Sequence, residues 1–351
     1  MDFSFSEEQR MAAESVRQVL NDHCQPAALR NSLAGNGGQD EARWRALLDT
    51  GLAGMLLPES AGGLALTEVD FVLIAEACGY YALPEPLVEH AGIAAPLLAA
   101  AGAEPTLMER VATGEALLAI GHPINPLVAD ADRATHLLLH AQDEIHLLPA
   151  SAVQLKRQES IDPFRRLFSV SWTPNTSSRI AEANTTPALW NATLDRGALF
   201  TAAQCLGLAQ RAGDLAVAYA KERKQFGKPI GSYQAVKHLL ANVQVKIEFA
   251  RPVVYAAAAE IGNADAMSRA RVSHAKLAAA EAADQAVRSA LQVHGAMGYS
   301  WEVDLHFYLK RVLALTYAWG HPAFHRARVA ARVFEQPLGP DHTFAREHSH
   351  A

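Results

Sequence analysis

The stretch AKERKQFGKPIGSYQAVKH, residues 220–238, constrains this chain more than any other. An alanine-rich helical run enters it, and Gly227, Pro229, Gly231 and Ser232 interrupt the helix. A second helical pattern then leaves. Two long helices joined by so short a break fold back on one another, so this region has to be a helical hairpin inside a bundle. Arg223, Lys224, Gln225, Lys228 and Lys237 supply donors, and the glycines let the backbone approach whatever those donors hold. Residue chemistry leaves two readings open: an anion-binding elbow, or a solvated turn between helices.

The 351-residue chain is long enough for a large core and two or three domains. A formal net charge of -6 gives no basic surface for nucleic acid. Cys24, Cys78 and Cys205 are an odd set without metal-like spacing, which fits a reduced compartment. The opening MDFSFSEEQR has the character of neither a signal peptide nor a basic transit segment, and the apolar run Ala91 to Ala101 is too short and punctuated to span a bilayer. A cytoplasmic protein with no membrane segment is expected.

Hydrophobic periodicity divides the chain into four parts. Residues 1–115 read as an amino-terminal helical domain, beginning with a helix capped by Ser6 and continuing through helices near 26, 41–50, 67–80, 87–101 and 104–113. Residues 116–191 change character: LLAIG, THLLLHA, EIHLLPA, VQLKR and LFSVSW are short branched or apolar runs, with a turn expected at Asp143-Glu144. They make a small β domain that must pack on helices to be stable. Residues 192–337 are helical again, with long helices expected over 194–222, 233–263 and 264–294, a fourth from about Glu302 to Trp319, and a last from Pro322. Residues 338–351 are a polar tail. The fold class is mainly α with a small central β domain, its main core a carboxy-terminal four-helix bundle.

A second marked segment is Gln292-Val293-His294-Gly295-Ala296-Met297-Gly298-Tyr299. Its glycines can end a helix as a simple cap or admit a close partner such as a cofactor or another subunit. It is not a dinucleotide fingerprint, because no strand precedes it. His321 and His325 are four apart but lack a third ligand, so no metal is expected. Glu302 and Asp304 follow Gly298, where a carboxylate suits either a base or a helix cap.

The helix–β–helix organisation, ERKQFGKPIGSYQAVKH and QVHGAMGYSWEVDLHFYLKR together resemble the acyl-CoA dehydrogenase family, and FSEEQR and LLPESAGG are similar to its amino-terminal domain. The resemblance spans nearly the whole chain, is most specific in the last third and is poor in the middle. It implies FAD lying across a dimer interface of carboxy-terminal bundles. By this resemblance Arg223 faces the FAD pyrophosphate, Gln225 is the polar neighbour, and Phe226 packs on the cofactor. Gln292, Gly295 and Gly298 meet the ADP portion. Ala296 stands where a glycine is more usual, a tolerable change if its dihedrals are negative.

Two departures from the family pattern bear on function. The family's Thr-Glu-Pro and Gly-Ser-Asp segments, which support the flavin ring and cover acyl-CoA, are replaced here by AIGHPINPLVADAD. The carboxylate that removes the α proton of the thioester is also missing. Its usual position falls at Gly320 in TYAWGHP, and its alternative position at Gly197 on the first bundle helix. The catalytic base is therefore unknown, with Asp195 and Glu302 as weak substitutes; Asp195 is two residues from Gly197 and points off another helix face. The resemblance narrows to the shortened partner subunit of bacterial heteromeric acyl-CoA dehydrogenases of the steroid side-chain type. It implies an α2β2 complex with a homologous full-length subunit, an acyl-CoA substrate, and an electron-transferring flavoprotein as acceptor. In that complex the partner supplies the base and the flavin-ring pocket. Two alternatives stand beside it: an autonomous homomeric dehydrogenase with a displaced base, and a noncatalytic interaction protein of the same fold.

Overall fold

The computed structural model describes residues 4–335; the expected tail, including His342, His348 and His350, lies outside them. The first helix, α1 (Glu7–His23), starts where Ser6 and Gln9 exchange side-chain bonds in a capping box. Next come α2 (Pro26–Asn36), α3 (Glu41–Leu48) capped by Asp40, and α4 (Glu68–Tyr80) capped by Thr67. A π-helical stretch, Val88–Ala94, runs directly into α5 (Ala95–Ala100). The change of winding falls just before Pro96, whose ring nitrogen cannot donate to the preceding turn. The last helix of this half is α6 (Pro105–Ala112).

The central strands are β1 (Leu118–Gly121), β2 (Val128–Ala129), β3 (His136–Ala141), β4 (Glu144–Pro149), β5 (Gln154–Gln158), β6 (Leu167–Ser171) and β7 (Arg179–Ala181). They form two sheets, ordered β1-β3-β4-β7 and β2-β6-β5. Alternation along β3 explains how such a small unit holds together. Leu137 and Leu139 face the second sheet with Ala119, Val128 and Phe168, while Leu138 joins the main helical core with Leu118 and Ile120. The β3–β4 turn is Gln142-Asp143, with Gln142 left-handed at φ 52°. Glu144, expected in that turn, belongs to β4 and accepts from Arg179 at 2.7 Å.

The bundle consists of α7 (Thr186–Glu222), α8 (Gln234–Glu260), α9 (Ala266–His294), α10 (Leu305–Tyr317) and α11 (Pro322–Glu335). Helix α7 begins eight residues before the expected Leu194, because Pro187 sits in its first turn, where a missing N–H costs nothing. Pro252 lies inside a continuous α8. Phe71 of α4 meets Phe200 of α7 edge to face, with centroids 4.9 Å apart. Each such fully buried side chain contributes about 1.5–3 kcal/mol, which welds the amino-terminal helices to the bundle. Among the described residues no helix is long and apolar enough to cross a membrane.

Candidate functional site: an exposed elbow and a filled pocket

The elbow is a miniature hairpin, with β8 (Lys224–Gln225) paired to β9 (Lys228–Pro229). Phe226 and Gly227 form its two-residue turn with φ of 52° and 83°, the twist a tight hairpin requires. Glycine takes that conformation freely, whereas a bulky L-residue at φ > 0 costs about 1–2 kcal/mol. Phe226 is also 93% exposed, so the chain strains an aromatic residue in order to present it to solvent. Several bonds hold it there. The Arg223 N–H donates to the Tyr219 carbonyl at 2.9 Å and the Ile230 N–H to the Arg223 carbonyl at 2.8 Å. Tyr233 donates its hydroxyl to the Gln225 carbonyl at 3.1 Å, and the Lys228 ammonium sits 4.4 Å from the Tyr233 ring centre. Arg223, Lys224, Gln225 and Lys228 are all exposed.

The second segment closes α9 at the same end of the bundle. Gly295 takes φ 59° and ψ -136°, a region that side-chain-bearing residues avoid, and the backbone winds into a 3-10 turn over Gly295–Tyr299. Gln292, Gly295, Ala296 and Tyr299 are exposed, while Gly298 is buried. Ala296 is not among the positive-φ residues, as its tolerance required. Tyr219, one turn before Arg223, stacks on His294, whose Nδ1 bonds the Ala290 carbonyl at 2.8 Å. Arg223, Gln225, Phe226, Gln292 and Gly295 therefore share one exposed end, rich in donors and carrying an aromatic face. Those features suit a dinucleotide's pyrophosphate and ring.

The interior differs. Gly197 of α7 and the Trp319-Gly320 turn, the two positions at which the family resemblance implies a carboxylate, meet each other. A Cβ on Gly197 would lie 2.1 Å from Trp319 Cδ2. Trp319 is left-handed at φ 56° and 3% exposed, and three elements fix it. Its N–H donates to Asn125 Oδ1 at 2.9 Å, its carbonyl accepts from His325 Nε2 at 3.0 Å, and its ring lies against Gly197. His122 packs 5.4 Å from Trp319 and 4.9 Å from Trp190, donating to the Trp190 carbonyl at 3.0 Å. Burial pushes His122 down to about 4, so it is a neutral packing group at physiological pH. His122 and Asn125 come from AIGHPINP, the segment standing where the family supports a flavin ring. Where those three segments converge, the His122 ring packs on the rings of Trp190 and Trp319.

Asp195 lies on the other side of α7. Its Oδ1 accepts from Arg328 Nη2 at 2.6 Å, and Arg269 Nε is 3.7 Å from Oδ2. Burial raises its carboxyl, with the Arg328 guanidinium opposing. Glu302 is exposed, and its backbone N–H donates to Ser300 Oγ at 3.2 Å. Neither carboxylate is brought to the Gly197–Trp319 contact. Trp190, His122, Asn125 and Trp319 were not singled out in the sequence as site residues. The one available hint was that Trp319 and AIGHPINP fall where the family pattern fails.

Known proteins share this architecture. Residues 6–114 match the acyl-CoA dehydrogenase N-terminal domain, and residues 188–334 match the acyl-CoA dehydrogenase C-terminal domain. The acyl-CoA dehydrogenase IpdE2 of Mycobacterium tuberculosis is 32% identical over 341 residues, covering 94% of this chain and 99% of the relative. IpdE2 of Mycolicibacterium smegmatis is 32% identical over 331 residues, covering 94% and 100%. A variant of the Tcur3481-Tcur3483 steroid acyl-CoA dehydrogenase superposes with a TM-score of 0.83 at 25% identity, over 94% of this chain and 98% of that one. Butyryl-CoA dehydrogenase of Megasphaera elsdenii shares the fold, with a TM-score of 0.86 at 19% identity over 95% and 100%. The chain belongs to the acyl-CoA dehydrogenase family.

Proposed function

We propose that this chain is a subunit of a heteromeric FAD-dependent acyl-CoA dehydrogenase and supplies the cross-interface half of a cofactor site whose flavin ring sits in a homologous full-length partner. The observation that carries the reading is the Trp319 indole packed on Gly197, so that the two places where the family resemblance implies a carboxylate carry none and are filled by an aromatic side chain. The elbow fits the other half of the cofactor, offering exposed cations, a presented aromatic ring and close backbone. Bound FAD supplies the two-electron acceptor for α,β-dehydrogenation of a CoA thioester. Arg223 neutralises pyrophosphate charge, and Gln225 and Gln292 donate to its polar edge. Phe226 stacks on the adenosine portion, while Gly295 and Gly298 let the α9 terminus come close. The partner's carboxylate holds the α proton, since Asp195 is engaged by two arginines and Glu302 faces solvent. An α2β2 assembly in the cytoplasm, a steroid side-chain CoA ester as substrate, and an electron-transferring flavoprotein as acceptor complete the proposal. The steroid class is supported by the likeness to the Tcur3481-Tcur3483 steroid acyl-CoA dehydrogenase.

The test is activity with an artificial dye. The chain purified alone gives no acyl-CoA-dependent dye reduction, and co-expression with the full-length partner restores it. A chain that is active and yellow by itself would establish the autonomous homomer instead.

A further inference from the structure

A cavity of about 490 Å³ lies between α9, the end of α10 and the start of α11. Leu277, Ala280 and Pro322 contribute apolar surface to its lining, and Lys276, His325 and Arg326 contribute nitrogen groups. Glu281 and Asp284 also reach the rim, but each has a partner: Lys246 at 3.3 Å and Arg288 at 2.8 Å. Lys276 is 1% exposed, and its ammonium donates to the Leu315 carbonyl in the last turn of α10. The carboxyl end of that helix offsets about half an elementary charge. The other groups facing the ammonium are the Cys205 thiol of α7, the Arg165 guanidinium, which repels it, and His325, held neutral by burial. Among the described residues no carboxylate forms an ion pair with Lys276. Buried charges ordinarily carry a counter-ion, and this one lines a cavity of ligand size instead.

We propose that this cavity binds a small organic monocarboxylate, with its charged end toward Lys276 and Arg326 and its hydrocarbon body on Leu277, Ala280 and Pro322. The acidic rim disfavours a dianion such as phosphate, and the apolar lining favours a short aliphatic chain. His325 forms part of the lining and holds the Trp319 carbonyl, so the occupant sits directly behind the turn that fills the Gly197 pocket. None of the six cofactor-facing residues lines the cavity, so this inference stands or falls apart from the flavin reading.

Isothermal titration of the full chain with hexanoate, and with hexanamide as its neutral isostere, tests the site. Burial places Lys276 near 8. Hexanoate binding is therefore saturable at about pH 7 and weakens about tenfold by about pH 9, while hexanamide binds at least about tenfold more weakly. Arg326→Gln, a change at an exposed position that leaves the fold intact, weakens hexanoate about threefold or more, and Lys276→Met abolishes the pH dependence. Absence of saturable hexanoate binding in the wild-type chain overturns the proposal. So does binding that is indifferent both to pH over this interval and to Arg326→Gln.

Discussion

Tyr219 lies nearly flat on His294, with ring centroids 4.2 Å apart and planes inclined by 22°. Tyr219 stands in the last turn of α7, just before the elbow, and His294 ends α9 immediately before Gly295. This stack sets the spacing between two segments about 70 residues apart in sequence, and it does so from beneath the exposed surface they share. Tyr219→Ala should cost about 1–2 kcal/mol in thermal unfolding and weaken flavin retention in the complex, whereas Tyr219→Phe keeps both. Equal flavin content in wild type and Tyr219→Ala would show that the two segments are not coupled through this stack.

Phe226 separates the demands of folding from those of binding. At φ 52° asparagine is far more comfortable than phenylalanine, so Phe226→Asn should raise the stability of the isolated chain by up to about 1 kcal/mol. The same change removes the presented ring and should lower flavin affinity in the complex by about tenfold. Melting curves and flavin titration read the two effects separately. If both quantities fall, the strain argument is wrong.

Asp130 is also left-handed, at φ 52°, and is 7% exposed, with no hydrogen-bond donor to its Oδ1 among the described residues. Burial raises its carboxyl well above the ordinary range against the pull of Arg165 and Arg311. A raised value in the fold means that the protonated acid is favoured there. Its contribution is complete below about pH 4 and is lost as pH rises through the folded value. Asp130→Asn cannot ionise and tolerates the backbone, so it should stabilise the chain by about 1–3 kcal/mol at neutral pH, with a gain that shrinks toward about pH 4. Chemical denaturation at a series of pH values checks the slope.

His122 works in the opposite sense. Its folded value is depressed from 6.5 to about 4, so the neutral ring is favoured, and the stability it contributes is present above 6.5 and lost as pH falls toward 4. His90 and His325 are buried to similar effect, each near 4. The acid limb of the stability profile should therefore begin below about pH 6.5, earlier than carboxylates alone would produce. His122→Gln should flatten part of that limb, and an unchanged limb would remove His122 from the account.

Much of the fold was legible because local rules decide it. Ser6 announced the start of the first helix, and Gly227 and Pro229 announced the elbow. The apolar runs THLLLHA and EIHLLPA, with Asp143-Glu144 at their junction, announced a hairpin. The start of α7 was not legible, because Pro187 is equally at home in a loop and in a first helical turn. Strands of two or three residues, such as Val128–Ala129 and Arg179–Ala181, are too short to show a period, and their partners define them. The exposed half of the candidate site could be read from Arg223 to Phe226 and from Gln292 to Gly298, since each half is contiguous. The filled half could not. Trp190, His122, Asn125 and Trp319 come from three distant segments and acquire meaning only where α7 passes Gly197.

The central claim is that this chain clamps a cofactor held by its partner and holds none itself, and the flavin-to-polypeptide ratio of the co-purified complex tests it most directly. One FAD for every two chains is expected, falling toward zero in Arg223→Ala while the subunits stay associated. One FAD per chain, or a ratio unchanged by Arg223→Ala, would contradict it.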